Sequence, residues 1–239
     1  MIDLKNLVSL PTYTTTIPST GKKVSFRPFV VKEEKILLIA LESKNNEQIT
    51  NALKTVFESC FNEKINVDEM SYFDIEYLFI QLRMKSMGEI VEIIVKDPTT
   101  NEKFETEMKL ENIKVLNLTE NKKNFDIKLN DKFGVIMKYP RIVEFAELGN
   151  TDKNKTEIMF ELMASCIDKI YTSEQVIEAK DKTKEELKDF LENLPKEMFL
   201  KIAEFFDILP QIVYKDEFIS PTTGNKIPIL INDFKTFFV

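Results

Sequence analysis

The sequence predicts an α+β fold, mainly helical, with an inserted antiparallel sheet of about four strands and a hairpin at each end. Three observations carry this reading. Apolar residues recur at three- and four-residue spacing between residues 32 and 88, and again between 142 and 206. Between 89 and 140 that spacing gives way to alternation. A short turn, Pro-Ser/Thr-Thr-Gly/Asn, occurs at 18–21, 98–101 and 221–224, each time between apolar runs and with a lysine close behind. The chain therefore divides into three segments: an N-terminal arm, hairpin and three helices over 1–88, an antiparallel β region over 89–140, and a helical region over 141–239 that ends in a hairpin and an apolar tail.

Taken in order, Thr14-Thr15-Thr16 favours extended backbone, because β-branched side chains restrict χ1. With Val24 and Phe26 it forms a hairpin across Pro18–Lys23. Residues 32–43 begin with charge and run into an apolar face. Ile49, Leu53, Val56, Phe57, Cys60 and Phe61 line one side of a second helix. Ser71 with Asp74 reads as a capping box for a third, which carries Ile75, Leu78, Phe79 and Leu82 and ends at Gly88. Ile90-Val91-Glu92-Ile93-Ile94-Val95 is nearly continuous in apolarity, which predicts a strand covered on both faces. Phe104, Thr106 and Met108 alternate with charged residues, as in a strand with one wet face. Runs at 125–129 and 133–137, joined by Asn130-Asp131-Lys132, complete a four-stranded sheet of two hairpins. Helix resumes at Ile142, and Ile158, Met159, Leu162, Met163, Cys166, Ile167 and Ile170 make one stripe. Residues 174–183 are polar and read as a loop or a weak exposed helix. Thr183 with Glu186 caps another helix, Pro195 opens the next, and Pro210 stops it.

Composition excludes several kinds of function. The net charge is −7 with no basic segment to offset it, so the phosphate-binding footprint of a nucleic-acid partner is missing. No apolar run approaches the ~20 residues that span a bilayer, and the first residues lack a signal-peptide pattern. The expectation is synthesis in a cytoplasm, with no membrane partner. There is no histidine, the commonest general base and neutral metal ligand. The five glycines are well below the average of ~7%. Gly21-Lys22-Lys23 lacks the upstream glycine and the hydroxyl residue of a phosphate-binding loop. Aspartates and glutamates are spread along helix faces. No catalytic residue, cofactor or metal is expected, and the protein is read as a non-enzyme. Cys60 and Cys166 lie on apolar stripes and read as buried small hydrophobes.

One stretch carries a resemblance. Leu10-Pro11-Thr12-Tyr13, the Pro-Ser-Thr-Gly-Lys-Lys turn, Phe26-Arg27-Pro28-Phe29 and Val31-Lys32-Glu33-Glu34-Lys35 resemble the opening of the baseplate hub proteins of T4-like contractile-tailed bacteriophages. The resemblance is concentrated in the first 43 residues; beyond them only the order of elements and the length agree. It implies a structural or assembly protein of the tail hub, present in the virion baseplate and in host cytoplasm during assembly. Its partners would be other baseplate or tail proteins. A chaperone absent from the mature virion, a phage-encoded adaptor and a homo-oligomer all stay open. The family supplies no catalytic residue to carry over.

Interface candidates follow from residue type. Tyr13, Arg27, Pro28 and Phe29 place an arginine and aromatics beside a rigid proline, which suits interfaces. Phe234, Phe237 and Phe238 make the last residues too apolar for a free end. On this reading Arg27→Ala weakens assembly without loss of stability. The repeated turn is either reuse of good turn residues or a set of three knuckles presented to partners.

Overall fold

The computed structural model describes residues 9–118, 125–148, 153–232 and 236. β1 (Tyr13–Thr16) folds back onto β2 (Lys23–Phe26), with Tyr13 opposite Phe26 and Thr16 opposite Lys23. Three helices follow: α1 (Val31–Glu42), α2 (Asn46–Cys60) and α3 (Tyr72–Met87). Each has a local reason to start. The Val30 N–H donates to Glu33 at 2.9 Å, and the Gln48 N–H donates to the side chain of Asn45 at 3.0 Å. At the head of α3 the predicted capping box takes another form. The Ser71 hydroxyl donates directly to the Asp74 carboxylate, which also accepts the Ser19 N–H at 2.8 Å. The pair thus ties the first hairpin turn to the helix. Gly88, at φ +103°, ends α3 in a conformation that a side chain would strain.

β3 (Ile90–Lys96) and β4 (Lys103–Lys109) form a hairpin, followed by the short strands β5 (Lys114–Leu116) and β6 (Asp126–Lys128) and by β7 (Phe133–Met137). α4 (Ile142–Leu148) and α5 (Lys155–Ser165) lead to β8 (Ile167–Thr172) and β9 (Val176–Glu178). α6 (Lys184–Glu192) has a complete capping box: the Glu186 N–H donates to Thr183 at 3.1 Å, and the Thr183 N–H donates to Glu186 at 2.8 Å. α7 (Lys196–Asp207) starts after Pro195, and β10 (Gln211–Ile219) with β11 (Lys226–Ile231) closes the described chain.

The expectation of a mainly helical chain with one inserted four-stranded sheet is overturned. The described residues hold seven α-helices and eleven strands, and the strands fall into four small sheets: β1-β2, β3-β4, β11-β10-β5 and β6-β7-β8-β9. β6 and β7 do not join β3 and β4. β6 pairs with β7, and β7 pairs with β8, cut from the stripe that reads as one helix through Ile170. The helix stops at Ser165 because the next residues, Ile167-Asp168-Lys169-Ile170-Tyr171-Thr172, are rich in β-branched and aromatic types and meet the open edge of β7. The Lys138 N–H donates to the Cys166 carbonyl at 2.7 Å at the start of that pairing. Residues 176–178, read as a loop or weak helix, supply the outer strand β9. β3 also departs from expectation. Val91 and Val95 are buried, but Ile90 and Ile94 are 50% and 65% exposed, so one face of the strand is open.

Two apolar cores result. One gathers Val24, Phe26, Leu53, Phe57, Leu78 and Leu82 with Met108 and, from far along the chain, Ile212 and Tyr214. The other joins Val135, Met137, Cys166, Ile167, Leu191 and Ile202. Burying each such side chain contributes about 1.5–3 kcal/mol. No helix among the described residues is long and apolar enough to cross a membrane.

Candidate protein interface

The three repeated turns share one conformation. In each, the residue before the proline accepts a hydrogen bond from the N–H four residues on: Gly21 to Ile17 at 2.9 Å, Asn101 to Asp97 at 2.9 Å, and Gly224 to Ser220 at 2.8 Å. Each of these residues also donates its own N–H to the carbonyl five residues on, at Lys22, Glu102 and Asn225, in every case at 2.9 Å. Gly21, Asn101 and Gly224 take the left-handed conformation, at φ +71°, +62° and +69°. That explains why only Gly or Asn stands there.

All three turns are engaged within the chain. The first is held by Asp74. The second and third grip each other: Thr223 donates to Asp97 at 2.9 Å, and Thr222 donates to Glu102 at 2.7 Å. The Ser220 hydroxyl, the Thr99 N–H at 2.8 Å and the Thr223 hydroxyl together hold the buried Asp97 carboxyl down to about 2. Phe104 of β4 meets Phe218 of β10, with ring centres 5.5 Å apart. The two hairpins therefore lie against each other, and a groove of about 760 Å³ opens between β3 and β11.

The segment around Arg27 is part of the scaffold. The Arg27 N–H donates to the Cys60 carbonyl at 3.0 Å, Nη1 to the Pro28 carbonyl at 2.9 Å, and Nη2 to Glu33 Oε1 at 3.0 Å. Burial works to raise the Glu33 carboxyl, but the guanidinium and the Val30 N–H outweigh it and hold that carboxyl below the ordinary range. Pro28 and Phe29 are buried, and the Phe29 N–H donates to Ser86 Oγ at 2.9 Å. Tyr13 is half-buried beside Phe26, with Lys85 Nζ 5.5 Å from its ring centre. Phe234, Phe237 and Phe238 lie outside the described residues.

The exposed apolar surface is next door. Val30, at the head of α1, and Val31, Leu38 and Ile39 on it are exposed, Val31 to 77%. The hydrogen bond from Phe29 to Ser86 sets this helix start beside the end of α3. There Met87 and then Ile90 are also exposed, and Ile94 follows on the same face of β3, with the exposed Glu92 between them. A sequence signal for it exists at 36–41, where six consecutive apolar residues, Ile36 to Leu41, exceed what one face of a helix can bury. The two thiols take no part in this surface. Burial pushes Cys60 up to about 11 and Cys166 up to about 12.

A family model described as T4 bacteriophage base plate protein matches residues 10–239. The chain belongs to that family. No curated protein and no solved structure matches it. The match extends over both cores, far past the opening stretch that carries the resemblance, and its description names the base plate without specifying the hub. A base plate protein works amid other proteins, and exposed apolar side chains on α1, at the end of α3 and on β3 are the kind of surface that protein contacts cover.

Proposed function

We propose that this base plate family member is a structural subunit of the contractile-tail hub, acting through protein–protein contacts and without catalysis. The observation that carries the reading is the set of exposed apolar side chains: Val30 at the head of α1, Val31, Leu38 and Ile39 on it, then Met87, Ile90 and Ile94. Shifted titratable groups mark active sites when they stand in a cleft beside a reacting position. Here they support turns and helix starts: Asp97 clasps two hairpins and Glu33 opens α1. Tyr13 and Arg27 are contact candidates near the start of α1, and Pro28 and Phe29 are buried just before it.

Quantitative mass spectrometry of purified phage particles against infected-cell lysate tests the proposal. A fixed copy number per particle is expected. Abundance in the lysate with absence from the particle would replace the hub subunit with an assembly factor that leaves.

A further inference from the structure

The open side of the β3–β4 hairpin has an unusual charge pattern. The Asp97 N–H donates to Glu102 O at 2.9 Å and the Leu110 N–H donates to Glu89 O at 2.8 Å, which sets the phase of the ladder. Odd-numbered residues of β3 bond to β4, so the backbone groups of Ile90, Glu92, Ile94 and Lys96 point away from it. β3 has no second neighbouring strand among the described residues. Nor does it have a proline to blunt its edge, whereas β11 carries Pro228 on its own open edge. Within the hairpin, Glu92 stands opposite Glu107 and Lys96 opposite Lys103. Like charges directly opposite each other destabilise a strand pair.

We infer that the free edge of β3 pairs antiparallel with β3 of a second copy of this chain, in the register that sets Ile94 against Ile94. Charge complementarity selects both the occupant and the register. In that arrangement Glu92 meets Lys96 of the second copy, and Lys96 meets its Glu92. The two like-charged pairs of each hairpin thereby gain an opposite charge on their other side, and the exposed Ile94 side chains cover each other. Shifting one strand by two residues puts Glu92 against Ile94, and shifting it by four in the same direction puts Glu92 against Glu92, so neighbouring registers lose the match. The aliphatic groove behind β3 explains why closure is favourable. Its part-exposed side chains, Ile93 on one wall and Ile229 and Ile231 on the other, would face the second copy, while Val91, Val95 and Ile227 are already buried within the chain.

The full chain is tested by sedimentation equilibrium with charge-reversal variants. Wild type is expected to dimerise. Glu92→Lys alone and Lys96→Glu alone each turn both cross-strand pairs into like pairs, so each should weaken the dimer by about tenfold or more. The double variant E92K/K96E restores opposite charges across the edge and should recover the dimer. Both substituted positions are exposed, and circular dichroism confirms that the variants fold. A wild type that stays monomeric overturns the inference. So does a dimer that the single reversals leave unchanged, or one that the double variant fails to restore; either result would move the contact to another surface or another protein. The outcome is independent of whether the chain is found in the particle.

Discussion

Arg27→Ala separates the two roles open to the opening segment. Arg27 and Glu33 meet at 3.0 Å, with the arginine side chain 29% exposed and the glutamate 4% exposed. Removing one partner of a buried ion pair costs about 3–5 kcal/mol, because the other charge is left without compensation. Here two features reduce that. The Glu33 carboxylate keeps the Val30 N–H, and water can reach the side that Arg27 vacates. The expected loss is about 1.5–3 kcal/mol. For a chain of this length ~1 kcal/mol corresponds to about 2–4 °C, so the melting midpoint should fall by about 3–12 °C. Thermal and urea unfolding of R27A, E33A and the double variant measure it. The double variant should cost less than the sum of the singles, because each single already removes the pair. Arg27→Lys keeps the charge but loses the planar fork that reaches both Pro28 and Glu33, and should fall between. A midpoint within about 1 °C of wild type, with assembly still lost, would refute the scaffold role and return Arg27 to the contact surface.

Three further outcomes are expected. Asp97 is held down to about 2 in the folded protein, below an ordinary carboxyl near ~3.9, so the unfolded chain binds more protons between those values. Its contribution to stability is therefore complete above about pH 4 and lost as pH falls towards about 2; Asp97→Asn should flatten the acid limb of a stability–pH curve in that window. Cys60 and Cys166 are buried with raised pKa values, so a thiol reagent at pH 8 should leave both unlabelled in native protein and modify both in denaturant. Fast labelling of the native form would contradict their burial. At Gly134 an added Cβ would meet the Tyr171 ring and approach Ile127 O to 2.7 Å. Gly134→Ala should destabilise the β6-β7-β8 sheet by about 1–3 kcal/mol, measured by urea unfolding; an unchanged midpoint would show that both Tyr171 and the β6 backbone at Ile127 give way freely.

What the sequence by itself determined is local. The first hairpin, α1, α2, α3 and α6 follow from periodicity and from punctuation such as Gly88 after α3 and the Thr183–Glu186 box before α6, because those signals act within one or two turns of chain. The repeated turn was legible as well, since its left-handed fourth position demands Gly or Asn. Tertiary structure decided which strands meet. Ile167–Thr172 satisfies a helical stripe and a strand equally well on paper, and only the open edge of β7 settles it. The fate of the turns was decided in the same way: Asp97 finds Thr223, 126 residues further on, and no local pattern announces that. Burial of the Arg27 segment and exposure of Val31 and Ile94 depend on what packs against each face. A sequence states how apolar a face is, but whether that face is covered is a property of its neighbours, and those come from distant parts of the chain.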